Sequence, residues 1–307
     1  MNLMNKIKNF FFNFKYDIVV TKIKKINFLS FLRSLFLFLI IFLFILPFYL
    51  MFVTSVKSTS DIIKDNGLSF PKTLEFIKNY KAAFKDQFQF MPYFWNTLRV
   101  TFFSTLLGTL CCILTAYGLS NIFHFKMKIV IMLLLYLGLM TTSETLTIIN
   151  YRIVSNLGWV DYGKGSDVPF GTDYACIVPY LINIVHVLLL LRTFKNIPEE
   201  LYYTAKIDGT SDWKFLWKIL VPIAKPTIIV IMIFRIVAVW NAYAWPELMG
   251  AKLLTNTARK TFDTETGIDT MNIQMAVAVL INIPLILIFI FFRKYIISGE
   301  NKSGIKG

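Results

Sequence analysis

Few side chains in this sequence could perform chemistry, and the two most unusual ones are charges inside apolar runs. Glu144 and Arg235 each lie in a stretch long enough to cross a bilayer, where an ionised group costs about 2.5–3.5 kcal/mol to insert. At 1.5 Å per residue they lie about 22 Å and 20 Å from the same membrane edge. We therefore predict an ion pair that is structural or lines a pathway. The alternative is that each finds a different partner, or that Glu144 lies near the outer interface.

A second polar group lies near the end of the run that contains Arg235. Asn241 has aromatic neighbours at Trp240, Tyr243 and Trp245. Aromatic rings stack on the CH groups of a sugar, and an amide binds its hydroxyls. Trp240, Asn241 and Tyr243 are therefore candidate contacts for a sugar-like solute. A belt of aromatic residues at the membrane surface is the alternative explanation of the same residues.

The sequence contains no constellation typical of catalysis or of metal binding. His124 and His186 are isolated, and Cys111, Cys112 and Cys176 lack the spacing of metal ligands or of a redox pair. The phosphate-binding pattern G-x-x-x-x-G-K-[ST] does not occur. We therefore expect no metal, no cofactor and no catalytic residue, and we expect that the chain is not an enzyme.

The hydrophilic piece 194–226 has a clear local pattern, FKNIPEELYYTAKIDGTSDWKFLWKILVPIAKP. Pro198 suits the first position of a helix, where no amide hydrogen bond is lost. Glu199 and Glu200 then favour the positive end of the helix dipole. These residues predict a short helix that runs to about Ile207.

A sharp turn follows this helix. Asp208 and Gly209 stop it, because glycine adopts the left-handed conformation without strain. Thr210 or Ser211 can cap a second short helix that begins at Asp212. Two short helices joined by a turn form a surface suited to docking into a groove on a partner. A solvated connector is the alternative.

The elements that must position these residues are membrane helices. The 307 residues are 56% hydrophobic and only 16% charged, and the mean hydropathy is +0.61, whereas soluble domains carry about 25% charged residues. Six stretches reach the length of about 20 residues that a membrane helix needs. We predict an all-α membrane protein whose six spans cover 30–53, 94–120, 129–149, 174–194, 222–245 and 273–296.

The charge distribution orients these spans. The net charge is +14, which is typical of nucleic-acid-binding proteins and equally of membrane proteins with basic cytoplasmic loops. If the N-terminus is cytoplasmic, the inside pieces carry 19 basic residues and a net charge of +13, and the outside pieces carry 11 and no net charge. Because basic residues favour the inside, we predict that both termini are cytoplasmic.

The remaining boundaries follow from this arrangement. The piece 156–173, rich in Gly and Asp, predicts an irregular loop, and 74–86 predicts a short amphipathic helix. The predicted organisation is a basic cytoplasmic segment 1–29, a first span 30–53, an extracellular loop 54–93, a core 94–297 that contains the cytoplasmic loop 195–221, and a cytoplasmic tail 298–307.

The loop resembles the permease subunits of bacterial ATP-binding-cassette importers. That family carries the pattern E-A-A-x-x-x-D-G-A followed by F, I and L-P. Matching residues here are Tyr203-Thr204-Ala205, Asp208-Gly209-Thr210, Phe215, Ile219 and Val221-Pro222. The sequence is similar in particular to the carbohydrate branch, typified by the second membrane subunit of the maltose importer. That likeness rests on Trp240-Asn241, Pro246, Met275-Ala276, Leu280, Pro284 and the terminal Lys306-Gly307.

The resemblance implies a type I importer permease that forms half of a translocation pore in the bacterial cell membrane. It implies two copies of a cytoplasmic ATPase, a second and different permease, and an external solute-binding protein. A maltose-like sugar, a polyol, glycerol phosphate or an oligosaccharide would fit. The residues implied to contact the ATPase are Pro198, Glu199, Glu200, Tyr203, Ala205, Asp208, Gly209 and Phe215, and the tail residues Lys306 and Gly307 are implied to make a further contact.

The sequence departs from the family at several positions. Tyr203 stands where the family has a glutamate that pairs with an arginine of the ATPase, and Glu199 or Glu200 could take that role. Glu247 replaces a common leucine. Two other classes remain open on the sequence alone, a stand-alone secondary transporter or channel and a membrane-embedded enzyme. The loop 197–222 separates them, because only the importer permease needs a docking helix there.

Overall fold

The computed structural model describes residues 28–65, 70–84, 90–122, 125–141, 143–256 and 271–301. The basic segment 1–27, His124, the loop residues 257–270, and the tail with Lys306 and Gly307 lie outside the described residues. The chain divides into two units, residues 1–50 and residues 51–307. The first unit is described only as the beginning of a long helix, and every contact discussed below lies within the second.

The described residues are predominantly helical, which confirms the all-α prediction. In chain order the helices are α1 (Phe28–Val56), α2 (Thr59–Asp65), α3 (Phe76–Ala83), α4 (Phe90–Tyr117), α5 (Phe125–Met140), α6 (Ser143–Asn156), α7 (Gly171–Ile177), α8 (Ile184–Lys195), α9 (Glu200–Ile207), α10 (Asp212–Phe215), α11 (Val221–Ile223), α12 (Lys225–Trp240), α13 (Ala244–Leu248) and α14 (Met271–Asn301). The described residues contain a single isolated β-bridge, between Lys57 and Leu74.

Three helices are long and apolar enough to cross a bilayer by themselves: Ser30–Val56, Phe90–Ser120 and Met271–Arg293. Three further candidates are bent pairs of helices, so the described residues offer six spans if each pair counts as one. The pair α7–α8 bends by 47°, and the segment Asp212–Ile223 bends by 80° against α12. The six apolar stretches overlap these elements, but the sequence did not predict the bends.

Helix α4 packs against α7, α8 and α12 and so forms the centre of the second unit. Its buried face carries small and hydroxyl-bearing residues, among them Ser104, Gly108 and Ala116. Such residues let neighbouring helix backbones approach closely, which is how helices associate in lipid. This close packing places the partner helices α8 and α12 around one face of α4.

A buried pair of amide side chains connects three elements of the second unit. Asn79, on α3, is 1% exposed and donates to the carbonyls of Ser55 at 3.0 Å and Lys57 at 2.8 Å. Asn272, at the start of α14, donates to Asn79 Oδ1 at 2.9 Å. The helix predicted within 74–86 is thus confirmed as α3. Its asparagine ties the end of α1 to the start of α14.

The loop before α7 is irregular, as predicted, but it is internally ordered. Asp161 Oδ1 accepts hydrogen bonds from the amides of Gly163 at 2.7 Å and Gly165 at 2.8 Å. The amide of Asp161 donates to the carbonyl of Met249 at 3.0 Å. These bonds fasten the loop to the segment that follows α12.

Candidate functional site

The loop between α8 and α12 forms the surface that the sequence singled out. Its local structure follows the predicted pattern except at Pro198, which precedes the N-cap Glu199 and is not the first helical residue. Helix α9 begins at Glu200, two residues after Pro198, and ends at Ile207. Gly209 has φ +71°, and its amide donates to the carbonyl of Lys206 at 3.0 Å. A side chain at that φ would be strained. Ser211 Oγ then accepts from the amide of Lys214 at 3.3 Å and caps α10.

The two short helices are anchored in the apolar core. Ala205 of α9 and Phe215 of α10 are buried in one cluster with Ile113, Val187 and Leu190 of the membrane helices. The Tyr202 ring lies edge-on to Phe215, with 5.1 Å between ring centroids. Ala205 and Phe215 were predicted as partner contacts, but the structure places both against their own chain.

Asp212 is the polar centre of this anchor, and sequence analysis missed this role. Its Oδ1 accepts from Lys206 Nζ at 2.9 Å and from the Tyr202 hydroxyl at 3.1 Å. The Tyr117 hydroxyl, at the C-terminal end of α4, donates to the Asp212 carbonyl at 3.2 Å and to Oδ1 at 3.4 Å. The hydrogen bond to the Asp212 carboxylate raises the pKa of Lys206. Asp212 thereby joins α9 and α10 to α4.

The opposite face of the loop is solvent-exposed and rich in large apolar side chains. Ile207 at the end of α9 is 86% exposed, and Leu201, Tyr203 and Trp213 are also exposed. Pro198, Glu199, Glu200, Asp208 and Gly209 line the same exposed loop. Large exposed apolar side chains concentrated in one short segment are a feature of protein–protein contacts. We call these residues, 198–213 with their outward side chains, the coupling surface.

A cavity of about 330 Å³ lies in the membrane part of the second unit, and Arg235 and Tyr243 line it. Arg235 is 4% exposed, and its Nη2 donates to the carbonyls of Ser104 at 3.2 Å and Tyr180 at 3.0 Å. Tyr180 ends the first half of the bent α7–α8 pair. There the helix is broken, so its carbonyl needs a partner from elsewhere.

The other predicted pore residues are placed differently. Trp240 is 2% exposed, and its Nε1 donates to the carbonyl of Ile281 at 3.1 Å. The Trp240 ring is therefore part of the hydrophobic core and does not line the cavity. Asn241 is exposed directly after α12 and does not line the cavity either. Glu144 lies in the first turn of α6, but its side chain is outside the described residues. The ion pair with Arg235 therefore stays a prediction.

No signal in the sequence could have revealed the contacts of Asp212 and Arg235. Tyr117 is separated from Asp212 by 95 positions, and Ser104 from Arg235 by 131. Among the described residues, no group of three or more His, Cys, Asp or Glu could hold a metal ion. The contacts of Asp212 and of Arg235 both result from the packing of helices that are distant in sequence.

The chain matches one protein family and is similar to known transport permeases. Residues 172–300 match the family described as binding-protein-dependent transport system inner membrane component. The chain is 25% identical over 285 residues to the arabinooligosaccharides transport system permease protein AraQ of Bacillus subtilis, covering 89% of this chain and 95% of that protein. It is 30% identical over 217 residues to the probable starch degradation products transport system permease protein AmyC of Thermoanaerobacterium thermosulfurigenes, covering 70% and 74%.

Among solved structures, the chain is similar to one from a bacterial ABC transporter involved in the import of the acidic polysaccharide alginate. The TM-score is 0.76 at 18% identity, and the match covers 89% of this chain and 98% of that one. This likeness establishes the fold of an ABC importer permease. Permease subunits of this family are not enzymes, and ATP hydrolysis in such importers belongs to a separate subunit. The membrane location follows from the family and from the candidate membrane-spanning helices. The chain belongs to the binding-protein-dependent transport system inner membrane component family, as a permease subunit of an ABC importer.

Proposed function

We propose that this permease forms half of a translocation pore for a sugar or sugar-like solute and is driven by a cytoplasmic ATPase that binds the coupling surface. The observation that carries the proposal is the two-sided construction of that surface. One side exposes Ile207, Tyr203 and Trp213, and the other is fixed to the membrane helices by Asp212 and Phe215. A motion imposed on the exposed side is therefore transmitted directly to α4.

The proposed assembly contains a second, different permease, two ATPase subunits and an external solute-binding protein, with both termini of this chain in the cytoplasm. The charge distribution supports this orientation, because basic residues favour the cytoplasmic side of a membrane and the coupling loop belongs to the net-positive set of pieces. A sugar-like solute is supported by relatives named for arabinooligosaccharide and starch-product transport. A relative of Brucella abortus named for sn-glycerol-3-phosphate transport widens this class to sugar-like phosphates.

Tyr203 is exposed on the coupling surface, so the position where the family has glutamate still faces the partner. The hydroxyl cannot form the charged pair implied for that glutamate. Glu199 and Glu200 lie one turn away and are exposed as well. We propose that one of these carboxylates supplies the charge to the ATPase.

The test is purification of the chain from its native membrane in mild detergent, followed by mass spectrometry of the intact complex. A dimeric ATPase and a second permease should co-purify. In that complex, Gly209→Pro should abolish solute-stimulated ATP hydrolysis, since proline cannot reach φ +71°. Asp208→Ala should weaken the coupling between hydrolysis and transport. Gly209→Ala is the milder matched variant.

Two results would contradict the proposal. One is a lone chain or a homodimer with no ATPase across several gentle detergents, which would favour a stand-alone transporter or channel. The other is full coupling in both the Gly209→Pro and Asp208→Ala variants. Either result would show that the exposed face of the loop does not receive the force from a partner.

A further inference from the structure

The cavity that contains Arg235 is built from parts of several elements. It is bounded by α4, by the break between α7 and α8, by α12 and by α13. Its polar lining includes Ser104, Asn183, His186 and Arg235, and the aromatic side chains Tyr180, Tyr243 and Trp245 complete it. A volume of about 330 Å³ lies within the range of small-molecule sites.

Arg235 is held as a fixed positive charge in this cavity. Two hydrogen bonds from Nη2 to main-chain carbonyls fix the guanidinium on one edge. The absence of a side chain at Gly108 makes room for the guanidinium, since a Cβ there would overlap it. Among the described side chains no carboxylate pairs with Arg235, and the Glu144 side chain lies outside them. Close packing against Gly108 therefore holds the side chain of Arg235 at the wall of the cavity.

Several buried polar atoms around the cavity have no hydrogen-bond partner within the described part of the chain. They are Arg235 Nε, Ser104 Oγ and His186 Nδ1. An unsatisfied buried polar atom costs about 1–3 kcal/mol, so a bound group whose oxygen atoms reached these atoms would be stabilised by that amount. Arginine Nε and a serine hydroxyl are donors suited to oxygen atoms of an anion.

A helix end adds to the positive potential. The break in the fourth span lets α8 start within the membrane at Ile184, where Asn183 Oδ1 accepts from the amide of His186 at 3.2 Å. Asn183 and His186 both line the cavity, so the N-terminus of this 12-residue helix faces it. Helix N-termini carry partial positive charge and favour anions.

We propose that this cavity binds the anionic group of the transported solute, a carboxylate or phosphate on a sugar-like molecule, with Arg235 as its counter-charge. The inference rests on the proposed function and narrows its substrate class from sugars in general to anionic ones. The Tyr180 and Trp245 rings, 5.6 Å apart, offer faces for the sugar ring beside the charge. With a neutral sugar in the cavity, no carboxylate among the described side chains would balance the charge of Arg235.

The test measures the charge preference of the cavity directly. Ala238 lines the cavity and is exposed, so it is replaced by cysteine in a background with Cys111, Cys112 and Cys176 changed to alanine. The labelling rates of an anionic sulfonatoethyl and a cationic trimethylammonium-ethyl methanethiosulfonate are compared on the complex in lipid nanodiscs. Arg235→Gln should lower the anion-to-cation rate ratio about tenfold, equivalent to about 1.4 kcal/mol.

Two variants make this result specific. Arg235→Lys keeps the charge and should keep most of the anion preference, even if the packing around Gly108 changes. Arg152→Gln removes an exposed arginine of α6 and is the matched control for net charge. An unchanged ratio in Arg235→Gln, or an equal change in Arg152→Gln, would overturn the inference.

Protection from labelling identifies the ligand class. Digalacturonate carries carboxylates and glucose 6-phosphate carries a phosphate, so the two compounds distinguish these anionic groups. At least one of them should slow labelling of the Ala238→Cys protein and should not slow labelling once Arg235→Gln is added. Galactobiose should have no effect. Protection by galactobiose equal to that by the anions, or none by either anion, would refute the inference. A complex that couples ATP hydrolysis to transport, but whose cavity shows no preference for the anionic reagent, would refute only this inference. A charge-selective cavity in a chain that binds no ATPase refutes only the proposed function.

Discussion

Replacement of Asp212 by alanine tests the link between the coupling surface and the membrane helices. The substitution removes the bond from Lys206, the bond from Tyr202 and the side-chain bond from Tyr117. The ion pair with Lys206 is solvent-exposed, so screening leaves it only a small contribution. Each hydroxyl bond is worth about 1 kcal/mol. The two hydroxyl bonds together are worth about 2 kcal/mol, and their loss should raise the population of undocked α9 roughly 30-fold.

The assay is hydrogen–deuterium exchange of the amides of α9 in the purified permease. Asp212→Ala should speed their exchange by that factor while leaving α3 and α14 unchanged. Tyr117→Phe removes one hydroxyl from α4 and should give a smaller increase, about fivefold for about 1 kcal/mol. In the assembled importer, both variants should hydrolyse ATP with less transport per ATP consumed.

Tyr203→Phe is the matched control, because it removes an exposed hydroxyl from the same helix and leaves the bonds of Asp212 intact. Exchange in Asp212→Ala that equals exchange in Tyr203→Phe would show that α9 does not depend on this carboxylate. In that case the apolar contacts of Ala205 and Phe215 alone would hold the loop.

Three further predictions concern buried packing and the pKa of one carboxyl group. Gly108→Ala should displace the Arg235 guanidinium and lower the melting temperature. Gly138→Ala is the control and should lower the melting temperature less, because its Cβ would meet only the terminal methyl of Ile184, at 2.8 Å. Equal shifts in melting temperature would refute the assigned role of Gly108. Asn79→Ala should cost about 2–3 kcal/mol, because two carbonyls and Asn272 lose their partner, and thermal unfolding beside exposed Lys78→Ala measures this. Hydrogen bonds from Thr73 lower the pKa of Asp61. The ionised carboxylate therefore stabilises the folded state above the unfolded-state pKa of about 3.9, and this stabilisation is lost as the pH falls through the lower folded-state pKa. The free energy of unfolding should exceed that of Asp61→Asn by a constant amount from pH 8 to 5, and the difference should shrink below pH 4.

The sequence by itself determined the class of molecule and the structure of one loop. Apolar runs of about 20 residues can only be accommodated as helices in lipid, since every backbone group must be paired internally. Pro198, Gly209 and Ser211 act within a few residues of their own position, so the helix, the turn and the cap of the coupling surface could be predicted from local rules. These features need no knowledge of distant contacts.

Tertiary structure alone decided which polar residues meet. The apolar run that contains Trp240 and Asn241 does not tell which side of α12 faces the core, and packing against α14 buried Trp240 and left Asn241 exposed. The depth estimate for Arg235 could not identify the carbonyls of Ser104 and Tyr180 as its partners, because the bend between α7 and α8 frees one of them. Contacts across 55 to 131 positions depend on helix approach and rotation, and these are set by the shapes of buried side chains rather than by any pattern along the chain.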